Sequence, residues 1–225
     1  MERSVTVRVP GTSANCGPGF DTLGVACTLY NDLTLSLLPE RRLEISAEGE
    51  GAEHIPLDER NMVWRAIQRV LKRARRTAAY PGAVIHMVNR IPLSRGLGSS
   101  AAAIVAGLKA ANLLLDNPFS RRELLQMATD MEGHPDNVAP ALLGGFTVSM
   151  LHQRRAESFS FLPRLPLKLV VAIPAFPLST RSARNALPET VPLADAVFNV
   201  SRAALLVGAL LKGNPRFLSH AFDDA

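Results

Sequence analysis

The stretch from Ala83 to Leu115 constrains this chain more than any other. An alternating, β-branched run from Ala83 to Ile91 reads as a strand, and a nearly all-apolar run from Ser99 to Leu115 reads as a buried helix. Between them lies Pro92-Leu93-Ser94-Arg95-Gly96-Leu97-Gly98-Ser99-Ser100-Ala101-Ala102. Gly96 and Gly98 admit positive φ and let a ligand approach the backbone closely. Ser99 and Ser100 are expected to cap the helix start, where the first N–H groups have no internal partner. Those N–H groups and the positive end of the helix dipole suit an anion, above all a phosphate. The expectation is a nucleotide phosphate held at Pro92 to Ala102.

Three other readings compete. The loop is an ordinary Gly-rich turn in the first. A Walker loop fails, because no Lys follows the second Gly. Gly96-Leu97-Gly98-Ser99-Ser100-Ala101 fits G-x-G-x-x-A, but a dinucleotide fold needs a second strand ending in an acidic residue about 20 residues on. Asp116 has that spacing, yet everything between reads as one helix, so this alternative ranks behind a phosphate loop.

The 225 residues suffice for one large or two small domains with their own cores. An apolar content of 47% with 20% charged residues is that of a globular protein. No apolar run follows Met1-Glu2-Arg3-Ser4, so no signal peptide is expected. The run Ala203 to Leu211 is too short to span a bilayer, so no membrane contact is expected. Cys16 and Cys27 lack metal-type spacing and point to a reducing, cytoplasmic setting. The net charge of +5 favours anionic ligands.

Along the chain, Val5 to Val9 alternates as a strand ending at Pro10-Gly11. Thr12 to Asp21 reads as a loop of small and turn-forming residues. There Asn15 and Asp21 either orient a small polar ligand or satisfy turn backbone. A short helix is expected at Leu23 to Ala26, then strands at Leu29 to Leu38 and Leu43 to Ala47. Asn61 to Arg76 is an amphipathic helix whose apolar face is Val63, Ile67, Val70, Leu71 and Ala74. Its other face gathers Arg65, Arg69, Lys72, Arg73 and Arg76. That basic face is either a nucleic-acid surface or a solvated one; without interleaved aromatic residues, no nucleic acid is expected.

Ser120 and Glu123 form a capping box for the next helix. Glu132-Gly133-His134-Pro135-Asp136-Asn137 then sets two carboxylates, an imidazole and an amide within six residues. The group either serves as turn and capping chemistry or, beside a phosphate loop, offers its carboxylates as Mg²⁺ ligands. Strands are expected at Gly144 to Met150 and Leu165 to Ile173, with Ser158 to Leu162 pairing with the first. A short helix is expected from Ser179 to Arg184, where Arg181 or Arg184 can grip a carboxylate. A last long helix ends at Lys212-Gly213-Asn214-Pro215.

Pro-x-Ser-x-Gly-Leu-Gly-Ser-Ser-Ala at 92–101 resembles the phosphate loop of the GHMP small-molecule kinases. Three further stretches resemble the homoserine kinase branch of that family. They are Thr12 to Asp21, Glu132 to Pro140, and Leu178 to Arg184 followed by Leu187-Pro188. The resemblance implies an α+β GHMP kinase fold, with a ribosomal-S5-like N-terminal domain (1–162) and part of a ferredoxin-like α/β-plait C-terminal domain (163–225). It implies ATP-dependent phosphorylation of the L-homoserine hydroxyl in threonine biosynthesis, with Mg²⁺. By the same resemblance Pro92 to Ala102 wrap the ATP phosphates, Asn61 with Met62 and Val63 borders the adenine, and Ser100 and Glu132 hold the metal. Asn15, Asp21, His134, Asp136, Asn137, Thr180 and Arg184 line the homoserine pocket, with Asp21, Asp136 and Glu132 as the catalytic group. Cys16 stands where the family pattern has Leu, and Gly11 where it has Ala. The family pattern also has a second carboxylate-binding Arg and a third, Gly-rich motif further on, neither of which is in these residues. A homodimer is compatible with the resemblance. A mevalonate-type kinase and an RNA-binding S5-like module are the alternatives.

Overall fold

The computed structural model describes residues 3–172, 184 and 186–225. Among the described residues six strands form one sheet around β2 (Leu23–Leu38), a strand of 16 residues. β1 (Ser4–Ala14) pairs antiparallel along one edge of β2. The other edge is shared: β4 (Gly82–Asn89) takes Asp32 to Leu38, and β5 (Phe146–His152) takes Leu23 to Val25. β3 (Leu43–Gly49) lies parallel to β4, and β6 (Arg155–Phe161) antiparallel to β5. The parallel pair β3–β4 is joined through α1 (Met62–Arg73), as parallel strands need a crossover.

The sheet is covered by α1, α2 (Ser99–Leu114), α3 (Arg121–Glu132) and α4 (Pro135–Leu143). Ile104, Val105, Leu108 and Ala111 of α2 are buried with Val9, Leu35 and Ile85 of the strands, which is why α2 is apolar on nearly every side. Ser120 and Glu123 make the expected capping box at the start of α3. A smaller apolar cluster joins Leu23 and Phe146 to Leu206 and Leu210 of α5 (Leu193–Lys212) and to Ala221 of α6 (Leu218–Ala221). Gly213 ends α5 in the left-handed conformation, as the sequence indicates.

Several expectations are corrected. β1 does not stop at Pro10-Gly11 but continues to Ala14 through a register shift between Pro10 and Thr12. Proline lacks a donor, and an irregular edge strand tolerates that loss. The loop therefore starts only at Asn15. Leu23 to Ala26 is not a helix but the start of β2, because pairing with β1 on one side and β5 on the other overrides a four-residue local pattern. The described part of the Leu165 to Ile173 segment, 165–172, forms no strand. Among the described residues no strand runs beside it, and an unpartnered strand is not stable. Its approach is instead fixed by the N–H of Arg164 donating to the Leu210 carbonyl (2.9 Å). The expected helix at Ser179 to Arg184, with Thr180 and Arg181, lies outside the described residues except for Arg184, which is helical.

Among the described residues α5 is the one helix long and apolar enough, by length and composition, to cross a bilayer. The uninterrupted run Ala203 to Leu211 understated it, because Asp195, Asn199 and Arg202 interrupt the apolar run without breaking the helix.

Candidate active site

The central loop starts where Asn31, buried in mid-β2, accepts the N–H groups of Arg90 (2.7 Å) and Ile91 (3.0 Å) on one side-chain oxygen. At its far end the Leu97 carbonyl accepts the N–H of Thr12 (3.0 Å). Ser94, Gly96 and Gly98 all have positive φ, which curls the chain. At Gly98 (φ 65°) a Cβ would stand 2.0 Å from Thr12 Oγ1 and 3.0 Å from Asn137 Oδ1, so crowding and backbone angle both exclude a larger residue.

Gly98 itself is the N-cap of α2, and no side chain caps the helix. This corrects the expectation that Ser99 and Ser100 would do so: a left-handed glycine turns the chain into the helix without a side-chain acceptor. The first helical bond runs from Ala102 N–H to the Gly98 carbonyl (2.9 Å). The amides before it, Ser99 to Ala101, are those that a helix start offers to an anion. The Ser100 hydroxyl is free of capping and donates to Glu132 Oε1 (2.6 Å), so two hard oxygens converge at the positive end of α2.

A cavity of about 270 Å³ adjoins the loop. Leu93, Ser94, Ser99 and Ser100 line it on the loop side, and Asn61, Met62 and Met87 on the other. Asn61 is almost fully buried, and its polar atoms serve the protein: Oδ1 accepts the N–H groups of Val63 (2.9 Å) and Trp64 (3.3 Å), and Nδ2 donates to the Pro56 carbonyl (2.7 Å). It therefore shapes the cavity by capping α1. Asp32, which the sequence reading passed over, also lines this cavity. The guanidinium of Arg8, with that of Arg90, holds its carboxyl down to about 2. The signal was an Asn-Asp pair inside the apolar alternation of Leu29 to Leu38.

A second group of side chains meets beyond Thr12. The Thr12 hydroxyl donates to Asn137 Oδ1 (2.8 Å), linking the loop to the first turn of α4. Asn137 is thereby placed against the loop rather than with its acidic neighbours. The next residue back, Asp136, is 1% exposed and hydrogen-bonded to His134 Nδ1 and to the N–H of Asn137 (2.9 Å). Its Oδ2 is buried without a partner among the described residues. The hydrogen bond and charge of Asp136 raise the His134 imidazole above its usual range, against the effect of burial.

Asp21, at φ 55°, is positioned by its own N–H donating to Asn15 Oδ1 (2.8 Å). Both Asp21 oxygens accept from Arg184, at 2.5 and 2.9 Å. Arg184 also lies over the ring of Phe20, 5.0 Å from its centre, a contact no spacing rule signals. Ligand atoms of Asp21, His134 and Asp136 lie within 4.8 Å of one another. With the guanidinium already among them, this cluster suits a ligand carrying both charges better than a metal ion. Thr180 lies outside the described residues; Arg95 is an exposed residue of the loop, and Ala101, in the first turn of α2, is buried in the core.

The chain matches the family model "GHMP kinases N terminal domain" over residues 61–145, which is α1 through α4 with the loop between. It is 46% identical to the homoserine kinase of Carboxydothermus hydrogenoformans over 220 residues, 98% of this chain and 71% of that protein. The homoserine kinase of Clavibacter michiganensis subsp. michiganensis is 45% identical over 99% of this chain and 70% of its own length. Among solved structures, a crystal structure of homoserine kinase from Cytophaga hutchinsonii superposes with a TM-score of 0.83 at 32% identity, covering all of this chain and 73% of that one. A phosphate-type cradle, an adjoining acid–base cluster and these likenesses agree, and the chain belongs to the homoserine kinase family, of GHMP kinase fold.

Proposed function

We propose that this protein transfers the γ-phosphoryl group of ATP to the side-chain hydroxyl of L-homoserine, giving O-phospho-L-homoserine and ADP, in the cytoplasm and in threonine biosynthesis. The observation that carries the reading is the Thr12–Asn137 junction. It joins an anion cradle to a cluster with a guanidinium and a buried carboxylate oxygen that has no partner among the described residues.

The triphosphate lies along Pro92 to Ala102, with amides at the start of α2 offsetting its charge. The adenine enters the cavity bordered by Asn61, Met62 and Val63. Ser100 and Glu132 fit a Mg²⁺ ion, since a hydroxyl and a carboxylate already converge there at 2.6 Å. When bound, that ion supplies charge neutralisation on the phosphates.

The amino acid binds through its two charges. Its ammonium satisfies Asp136 Oδ2, and its carboxylate recruits Arg184 from Asp21. Asp21 and Asn15 then aim the hydroxyl oxygen at the γ-phosphorus. The new P–O bond forms as the bond to ADP breaks. The hydroxyl proton leaves late, to the transferred phosphoryl group, because a carboxylate is a weak base for an alcohol. Orientation and electrostatics carry phosphoryl transfer in general. The division into an N-terminal unit, 1–162, and a C-terminal unit, 163–225, is part of the same proposal.

A zwitterion fits this cluster better than mevalonate, which has a carboxylate but no ammonium for Asp136. The test is ³¹P NMR of the protein with ATP, Mg²⁺ and L-homoserine, run beside mevalonate. A phosphomonoester resonance with homoserine alone is expected. No product with homoserine, or product with mevalonate, refutes the proposal.

A further inference from the structure

A second cavity, of about 670 Å³, opens where α1, α3 and the β5–β6 turn meet, and it shares no lining residue with the cavity beside the loop. Six cationic side chains line it: Arg69, Lys72 and Arg73 from α1, Arg122 from α3, Arg154 from the β5–β6 turn and Arg155 from the start of β6. Two carboxylates, Glu123 and Asp130, stand against them. Buried Met127 and Ala156 contribute apolar lining.

The turn is held firmly. Gln153 and Arg154 both have positive φ, and Gln126 of α3 clasps the chain on either side of Arg155. Its Nε2 donates to the Arg154 carbonyl (3.1 Å), and its Oε1 accepts the N–H of Ala156 (2.9 Å). Both carboxylates are already engaged. Asp130 accepts from Arg69 (2.5 Å) and Gln126 (2.6 Å), while Glu123 closes the α3 capping box and lies 3.6 Å from Arg73. Among the described residues Lys72, Arg154 and Arg155 have no carboxylate within ion-pair distance. Arg122 pairs with Glu157 (2.9 Å), so among the described residues the charge left without a counter-charge is that of Lys72, Arg154 and Arg155.

We propose that this cavity is a binding site for a small polyphosphate chain, separate from the nucleotide cradle. Guanidinium forks match phosphate oxygens in pairs. The volume is that of a small-ligand site. Among the described residues no aromatic side chain lines it, so they offer no platform for stacking bases, and a phosphate chain is favoured over nucleic acid. The basic face of α1, which sequence alone leaves as a nucleic-acid surface or a solvated one, thus acquires a different and specific partner class.

The test is a titration of the whole chain with inorganic tripolyphosphate, followed through backbone amide NMR. Saturating shifts at residues 153–156, independent of those at 96–102, are expected. R154E/R155E should weaken the 153–156 titration by about tenfold or more, with the circular-dichroism melt unchanged. R154Q/R155Q, the milder pair, should weaken it in the same direction and serves if the reversal disturbs folding. A nucleoside triphosphate should shift 153–156 with the same affinity, since recognition lies in the phosphates. Shifts confined to 96–102, a titration indifferent to both variants, or response at 153–156 to a short RNA or a nucleoside triphosphate but not to tripolyphosphate each overturns the proposal.

Discussion

Gly96 and Gly98 allow a controlled experiment on the cradle, because they share a backbone conformation and differ in surroundings. Their φ values are 70° and 65°. A Cβ on Gly96 meets nothing within 4 Å among the described residues, whereas one on Gly98 would sit 2.0 Å from Thr12 Oγ1. Alanine at either site forces an L-residue into the left-handed region, at about 1–2 kcal/mol. At Gly98 Thr12 must also move. Thr12 is fully buried, so loss of its bond to Asn137 leaves a hydroxyl without a partner, a further cost of about 1–3 kcal/mol. Gly98→Ala should therefore be less stable than Gly96→Ala by about 2 kcal/mol. For a chain of this size that is a gap of about 4–8 °C in melting temperature. Calorimetry, with urea unfolding as a second probe, measures it. Equal melting temperatures for the two variants would refute the contact between Gly98 and Thr12, and with it the junction between cradle and acid–base cluster.

Three other outcomes follow from the site. Asp21→Asn should lower turnover by about a hundredfold through misplacement of the hydroxyl, while the acidic limb of the pH–rate profile persists; loss of that limb would make Asp21 the general base. Glu132→Gln should raise the Mg²⁺ concentration for half-maximal rate by about tenfold, and an unchanged requirement would remove Glu132 from the metal site. The imidazole of His134 is raised by its hydrogen bond to Asp136, so the stability it adds is complete below about pH 6.5 and is lost as pH rises through the folded-state value. His134→Gln should flatten that fall in melting temperature against pH; an unaltered profile would count against the pairing.

Local chemistry explains which features could be read from the chain. The α2 helix, the capping box at Ser120 and the Gly213 stop are set by neighbours within a few residues, and periodicity reports them directly. Leu23 to Ala26 could not be read so, since its strand state depends on Phe146 to Val148, far along the chain. The segment 165–172 fails for the converse reason: it alternates like a strand but finds no strand beside it among the described residues. At the site, the Gly-Leu-Gly-Ser-Ser pattern marked the positive-φ turn at the open end of α2, and Asn15, Asp21, His134, Asp136 and Arg184 do gather. Residue type alone could not reveal that Asn61 and Asn137 have their side chains committed to helix and loop, or that Asn31 anchors the loop. An amide looks the same in sequence whether it faces a ligand or a backbone.

The sharing of one edge of β2 by two partners also has a bearing on synthesis. β4 is made soon after β2, but the strand that covers Leu23 to Val25 begins at Phe146, about 120 residues later. At roughly 5–20 residues per second the nascent chain leaves that edge open for about 6–24 s. Leu23 and Val25 on an unpaired edge invite pairing with other chains, so the ribosome-bound intermediate, more than the finished molecule, is where this protein is most exposed to misassembly.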